Sequence, residues 1–170
     1  RLSAVLQKSS PLPVTQVTAQ VTIERDHVYV ISPNQMLRVS DGTLVVSSFT
    51  RNEERRAPVD MFFRTLAEAY RFAAVAVVLS GTGPNGSNGL KRVKEFGGLT
   101  IVQDPAEAEF SGMPNHSIAT GLVDYVMPVA RIAGRILDYA HRVSNSPLPP
   151  LIDPAVSESE SASALLTPGH

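Results

Sequence analysis

The sequence predicts an α/β fold, and three observations carry that prediction. Val75-Ala-Val-Val-Leu-Ser80 is a short apolar run with no helical period, and it feeds directly into Gly81-Thr-Gly-Pro-Asn-Gly86. That is the pattern of a buried parallel strand entering a tight turn and a helix. Helical and strand-like segments then alternate to residue 141. Earlier, Asp41-Gly42 sits between two apolar runs, a strong hairpin signal. In open α/β sheets, ligands bind beyond the carboxyl ends of the strands, so the loop from Gly81 to Gly89 is the first candidate site.

The elements follow in order. Leu12 to Ile23 carries β-branched residues near period two and reads as strand, as does His27-Val-Tyr-Val-Ile31. Ser32-Pro-Asn-Gln35 breaks the run. Met36–Val39 and Thr43–Ser48 form the arms of the hairpin. Arg51-Asn-Glu-Glu-Arg-Arg56 reads as a solvated turn. Pro58 to Phe72 is expected to be helical, with Phe62, Leu66, Ala69 and Tyr70 on its apolar face. Ala73–Ser80 is the buried strand, and Asn88–Phe96 a short helix stopped by Gly97-Gly98. Leu99–Val102 is the next strand, Pro105–Phe110 a helical turn opened by proline, and Leu122–Val126 the last short strand. Val129–His141 places Ile132, Ile136 and Tyr139 on one helical face. From Ser144 the chain turns to proline, serine and acid, which bury too little apolar surface to offset ordering entropy. Residues 1–143 are expected to form one domain and 144–170 a disordered linker or tail.

Composition narrows the function. The 170 residues are 43% hydrophobic, enough for a single buried core. Cysteine is absent, which excludes a disulfide framework and a thiolate nucleophile and suits a cytoplasmic location. The formal net charge of −1 shows no basic stripe, so no nucleic-acid partner is expected. The apolar run Ala73–Leu79 is too short for membrane insertion. The first residue is Arg1 and not Met, which suggests a fragment or processed product.

Gly81, Gly83 and Gly86 satisfy a G-x-G-x-x-G pattern after a strand, and Asp104 follows the next strand. Together they form a formal dinucleotide fingerprint, with loop amides for pyrophosphate and an acid for ribose. The helix after the pattern is short, and Asp104 runs directly into Pro105. No lysine stands where a phosphate loop of the Lys-Ser/Thr type needs it. No G-x-S-x-G elbow and no paired-histidine metal pattern occurs. His27, His141 and His170 read as structural or solvated. His116, in Gly112-Met-Pro-Asn-His116, is placed to approach the crevice. Asp60 reads as a helix-start acid and Asp124 as a strand-edge acid.

Val78-Leu-Ser-Gly-Thr-Gly-Pro-Asn-Gly86, Gly97-Gly-Leu-Thr-Ile-Val-Gln-Asp-Pro105, Ala108-Glu-Phe-Ser-Gly-Met-Pro114 and Ile118-Ala-Thr-Gly-Leu-Val-Asp124 occur in one order. With His27-Val-Tyr-Val30 and Pro58-Val-Asp-Met-Phe-Phe-Arg-Thr-Leu-Ala67, they resemble the catalytic domain of chemotaxis protein-glutamate methylesterases (CheB-type) over about residues 5–135. The resemblance implies a mostly parallel sheet flanked by helices, a Rossmann-like three-layer sandwich. It also implies hydrolysis of glutamyl methyl esters on chemoreceptor helices, in some members glutamine deamidation, by a Ser-His-Asp triad without a cofactor. The triad acid matches Asn85, and Thr82 matches the position on the oxyanion side. The family's serine turn and histidine strand end would precede Arg1, and neither motif is present. A chain cut short on its N-terminal side is therefore expected, with methyl-ester hydrolysis lost. An acid-to-amide change in a serine-protease triad costs about 10⁴ in turnover. The Pro/Ser/Glu tail suits continuation into a fused methyltransferase. The alternatives are a non-catalytic module docking receptor or partner, and a dinucleotide-binding domain. Asn85-Gly86 and Asn88-Gly89 are also pairs prone to deamidation, and slow conversion of some Asn85 is expected.

Overall fold

The computed structural model describes residues 2–50 and 52–145, apart from the side chains of residues 53 and 54. Its strands form three sheets. β1 (Val14–Val17) pairs in parallel with β3 (Val28–Ile31), Val14 opposite Val28. β2 (Val21–Thr22), β5 (Thr43–Ser48) and β4 (Gln35–Ser40) form an antiparallel sheet in the order β2-β5-β4. β6 (Val75–Val78), β7 (Leu99–Gln103) and β8 (Tyr125–Met127) form a parallel sheet in chain order.

The β4–β5 hairpin turns at Asp41 and Gly42, with φ of 46° and 71°. Two successive positive φ values match the strand twist, which is why Asp-Gly works there. α3 (Pro58–Tyr70) lies against this hairpin, and Thr65 Oγ1 accepts the Val39 N–H at 3.0 Å. α1 (Leu2–Ser9) was not visible in the residue pattern and buries none of its residues. It is stitched to β1 by Gln7, whose Oε1 accepts the Val14 N–H at 2.8 Å.

The parallel sheet is where the α/β architecture is complete. Ala76, Val78 and Val102 face one side, packed with Phe63 and Ala67 of α3 and with Leu90 and Val93 of α4 (Ser87–Glu95). Met113 and Ile118 of α5 (Gly112–Ile118) extend the same layer. Leu99 and Ile101 face the other side, against Ile132, Ile136 and Tyr139 of α6 (Val129–Asn145). Successive side chains on a strand alternate faces, so helices on both faces bury all of β7. Each fully buried branched side chain there contributes about 1.5–3 kcal/mol. Parallel sheets flanked by helices are the expected fold class; the division into separate sheets is a finding of the structure.

Several local expectations are corrected. Arg51–Arg56 is not a simple turn: Asn52–Arg56 forms the short helix α2. Ala69 and Tyr70 are exposed, and the buried residues of α3 are Phe63 and Ala67. α3 packs on the hairpin and on α4 together, which rotates its buried face. Pro105–Phe110 makes turns and no helix. Asp104 Oδ1 captures the Ala106 N–H at 2.9 Å, and Ser80 Oγ captures the Phe110 N–H at 2.9 Å. The helix begins only at Gly112. β8 starts at Tyr125 and not Leu122, because Thr100 Oγ1 donates to Leu122 O at 2.9 Å and accepts the Asp124 N–H at 2.9 Å. Of the expected linker, Ser144 and Asn145 continue α6; residues 146–170 lie outside the described residues.

Candidate functional site

The carboxyl ends of β6, β7 and β8 are tied together by side chains. Gln103 Oε1 accepts the Ser80 N–H at 2.8 Å, and Gln103 Nε2 donates to Glu107 Oε1 at 3.2 Å. The same Glu107 oxygen accepts the Val129 N–H at the start of α6, at 2.7 Å. This chain of bonds makes a floor under the glycine loop.

Gly81 is gripped from both sides: its N–H donates to Phe110 O at 2.9 Å, and its carbonyl accepts the Met113 N–H at 2.8 Å. A Cβ at Gly81 would collide with Met113 Sδ, so no other residue fits without moving the Met113 side chain. Thr82 and Pro84 are exposed at the tip. Gly86 has φ of 102°, a conformation that side chains rarely adopt, and ends the loop at the start of α4.

Asn85 is half-buried and turned toward α3. Its Oδ1 accepts the N–H groups of Val59 and Asp60, at 3.2 and 3.3 Å. Asp60 answers from the other helix: its Oδ1 accepts the N–H groups of Gly86 at 3.0 Å and Gly89 at 2.7 Å. The residues at the helix starts, Ala57 and Gly86, make no side-chain cap of their own. Each helix borrows its cap from the other, satisfying orphan donors that would otherwise cost stability. Close approach of the helices permits the exchange. A Cβ at Gly89 would lie 2.8 Å from both Asp60 Cα and Asp60 O. The helix-start role read for Asp60 is half of its role; the capless Ala57 and Gly86 were the available signal for the rest.

The remaining candidates are dispersed. His116 lies on α5, and its Nδ1 is 2.7 Å from Gly112 O, one helical turn away. Gly112 itself packs on Gly81 and Gly83, so His116 borders the loop. His27 Nδ1 lies 3.2 Å from Arg25 O, and its ring stacks on Tyr29. His141 is exposed on α6, and His170 is outside the described residues. Asp104 is engaged in its own turn. The Gly86 and Gly89 amides that a pyrophosphate would need already donate to the Asp60 carboxylate.

Asp124 clasps β7, α4 and β8. Its Oδ2 accepts the Thr100 N–H at 3.0 Å, and its Oδ1 meets the Lys94 ammonium. Burial raises its pKa, but the Lys94 bond, the Thr100 N–H and hydroxyl, and the Lys94 charge together outweigh burial. The carboxyl is held below its ordinary value. Tyr139 lies beside this clasp, its hydroxyl donating to Phe72 O and to Gly97 O. Burial, then the Asp124 charge, pushes its phenol up.

A cavity of about 1130 Å³ opens on the other side of α3. Tyr29, Ile31, Leu37, Leu44, Phe62 and Leu66 line it, and it reaches Val59, whose N–H binds Asn85. Among the described residues, no helix is long and apolar enough to cross a membrane.

Comparison with known proteins places this geometry. The CheB methylesterase family model matches residues 1–136. A putative protein-glutamate methylesterase/protein-glutamine glutaminase of Leptospira interrogans is 35% identical over 130 residues, 76% of this chain and 67% of that protein. Protein-glutamate methylesterase/protein-glutamine glutaminase 2 of Pseudomonas syringae pv. syringae is 33% identical over 134 residues, 78% of this chain and 40% of that protein. An uncharacterized 104.1 kDa protein of Rhodobacter capsulatus is 35% identical over 144 residues, 83% of this chain and only 15% of its own length. The chain thus spans between 15% and 67% of these relatives. Among solved structures, the Thermotoga maritima CheB methylesterase catalytic domain superposes with a TM-score of 0.70 at 28% identity. The match covers 81% of this chain and 75% of that one. With the family model matching residues 1–136 and the fold shared, the chain belongs to the CheB methylesterase family.

Proposed function

We propose that these residues form the acid-loop portion of a protein-glutamate methylesterase/glutaminase domain whose targets are glutamyl methyl esters on cytoplasmic chemoreceptor helices. As it stands, this chain does not turn them over. The observation that carries the reading is Asn85. At the position of the family's triad acid stands a neutral amide, whose oxygen is committed to the main-chain donors that begin α3. An amide supplies no charge to stabilise an imidazolium, which in a serine triad costs about 10⁴ in turnover. Among the described residues, the hydrogen bonds of His27 and His116 go to main-chain carbonyls, and His27 Nε2 also lies 3.5 Å from Glu24 Oε2. Thr82, exposed at the loop tip, keeps the position from which a main-chain N–H would serve an oxyanion.

In this reading the residues through the end of α6 act as one cytoplasmic domain, without a metal, cofactor or nucleic-acid partner, and the residues after Asn145 serve as a linker. The 104.1 kDa relative, of which the match covers 15%, supports placement within a longer chain, and a methyltransferase is the fusion partner this reading expects. A second reading, a non-catalytic module that docks a receptor or partner, is favoured by the open apolar cavity beside α3.

Methanol release from a methylated receptor fragment tests the proposal. We expect none above background from the wild type or from Asn85→Asp, because restoring the acid adds no nucleophile. Release that a serine-directed inhibitor abolishes would overturn the inactivity. Calorimetric binding of the same fragment, without turnover, is the result the docking reading expects.

A further inference from the structure

Asn85-Gly86 and Asn88-Gly89 lie within one turn of each other at the start of α4. Where the residue after asparagine has no Cβ, its nitrogen has open access to the asparagine Cγ. Attack there is the first step of deamidation. The structure holds the participating atoms in an unusual way. Both attacking nitrogens donate their N–H to one oxygen, Asp60 Oδ1, at 3.0 Å from Gly86 and 2.7 Å from Gly89. The carbonyl under attack at Asn85 is the one whose Oδ1 accepts two N–H groups at the N-terminus of α3. Paired main-chain donors at a helix start stabilise negative charge developing on that oxygen. Asn85 therefore combines an activated electrophile with a restrained nucleophile. Asn88 has the restraint alone: its side chain is exposed, and its glycine lies inside α4.

We propose that Asn85 is a modification site, converted to aspartate or isoaspartate, and that the Asp60 carboxylate is the latch that slows the conversion. Gly86 N must lose its proton to attack. A carboxylate accepting that N–H opposes the negative charge growing on nitrogen. With the latch open, Gly86 N bonds to Asn85 Cγ and its proton passes to a solvent base. The Cγ–Nδ2 bond then breaks and the amide leaves as ammonia. Water opens the resulting succinimide at either carbonyl. One water enters and one ammonia departs, with no change of oxidation state. The aspartate product places a charge where two donors of α3 already point.

The inference is independent of the methylesterase reading, because its readout is mass and not turnover. Wild type, Asp60→Asn and the free peptide Phe72–Lys91, which is also the tryptic fragment, are aged together at neutral pH. Fragment mapping then separates Asn85 from Asn88. We expect folded wild type to convert at Asn85 at least about tenfold more slowly than the peptide, the weight of one hydrogen bond to a charged group. Asp60→Asn is expected to accelerate Asn85 about tenfold over wild type, with a smaller change at Asn88. If circular dichroism shows Asp60→Asn unfolded, Asp60→Ser replaces it, keeping a capping acceptor without the charge. Wild type converting at the peptide's rate, or a folded Asp60 variant converting at the wild-type rate, overturns the proposal.

Discussion

The two faces of α3 look onto different surroundings. On one side, the parallel sheet of β6, β7 and β8 is covered on both faces, and all five residues of β7 are buried. On the other, β1–β5 surround an open apolar cavity, and Leu2 and Val5 of α1 are each 62% exposed. Both halves carry strongly β-forming sequence. The difference lies in coverage: helices close both faces of the parallel sheet, whereas an antiparallel sheet can leave one face to solvent. Phe62 and Leu66 of α3 pack against both halves, so this helix is the mechanical link between them.

Substitutions can sharpen the contrast, beginning with the largest effect. Ile101→Ala, at 0% exposure in β7, is expected to cost about 3–4 kcal/mol in urea unfolding. Val5→Ala on α1 is expected to stay within about 0.5 kcal/mol. Equal costs would abolish the distinction between the halves. Phe62→Ala removes one of the two linking side chains and is expected to cost about 2 kcal/mol. It should also make amide exchange in β1 and β3 faster than in β7, and uniform exchange would show that the halves do not separate.

Gly89→Ala probes the close approach that lets α3 and α4 trade caps. Its Cβ would meet Phe63 Cβ at 2.7 Å as well as the Asp60 backbone, and a loss of about 1–3 kcal/mol is expected on thermal unfolding. An unchanged midpoint would mean the helices can part without cost.

The last effect is electrostatic. Asp124 is held below its ordinary pKa when folded, so its contribution is complete above the unfolded value and is lost as pH falls through the folded one. Asp124→Asn is expected to cost about 1 kcal/mol at neutral pH, moderated by the 41% exposure of Lys94. The difference should shrink toward zero in acid. A gap that persists below the carboxylate range would assign the cost to hydrogen bonding alone.

The family motifs were legible because each has a local cause. Gly86 takes positive φ at the end of its loop, and Asp41-Gly42 sets a hairpin. The alternation of β6 and β7 with helices was equally plain, since burial on both faces demands continuous apolar strands. The helix at Gly112–Ile118 was not legible. Pro105 advertised an earlier start, and only the capture of the Ala106 and Phe110 N–H groups by Asp104 and Ser80 forbids it.

By itself, then, the order of residues determined the family, the α/β class and the place of the glycine loop, all of which rest on neighbours a few positions apart. Tertiary structure alone decided what Asn85 and Asp60 do. Their bonds span 25 to 29 residues, and no local spacing reports which helix start a side chain will reach. Orphan donors at the two helix ends had to be satisfied once α3 and α4 packed, and these two side chains were the acceptors within reach.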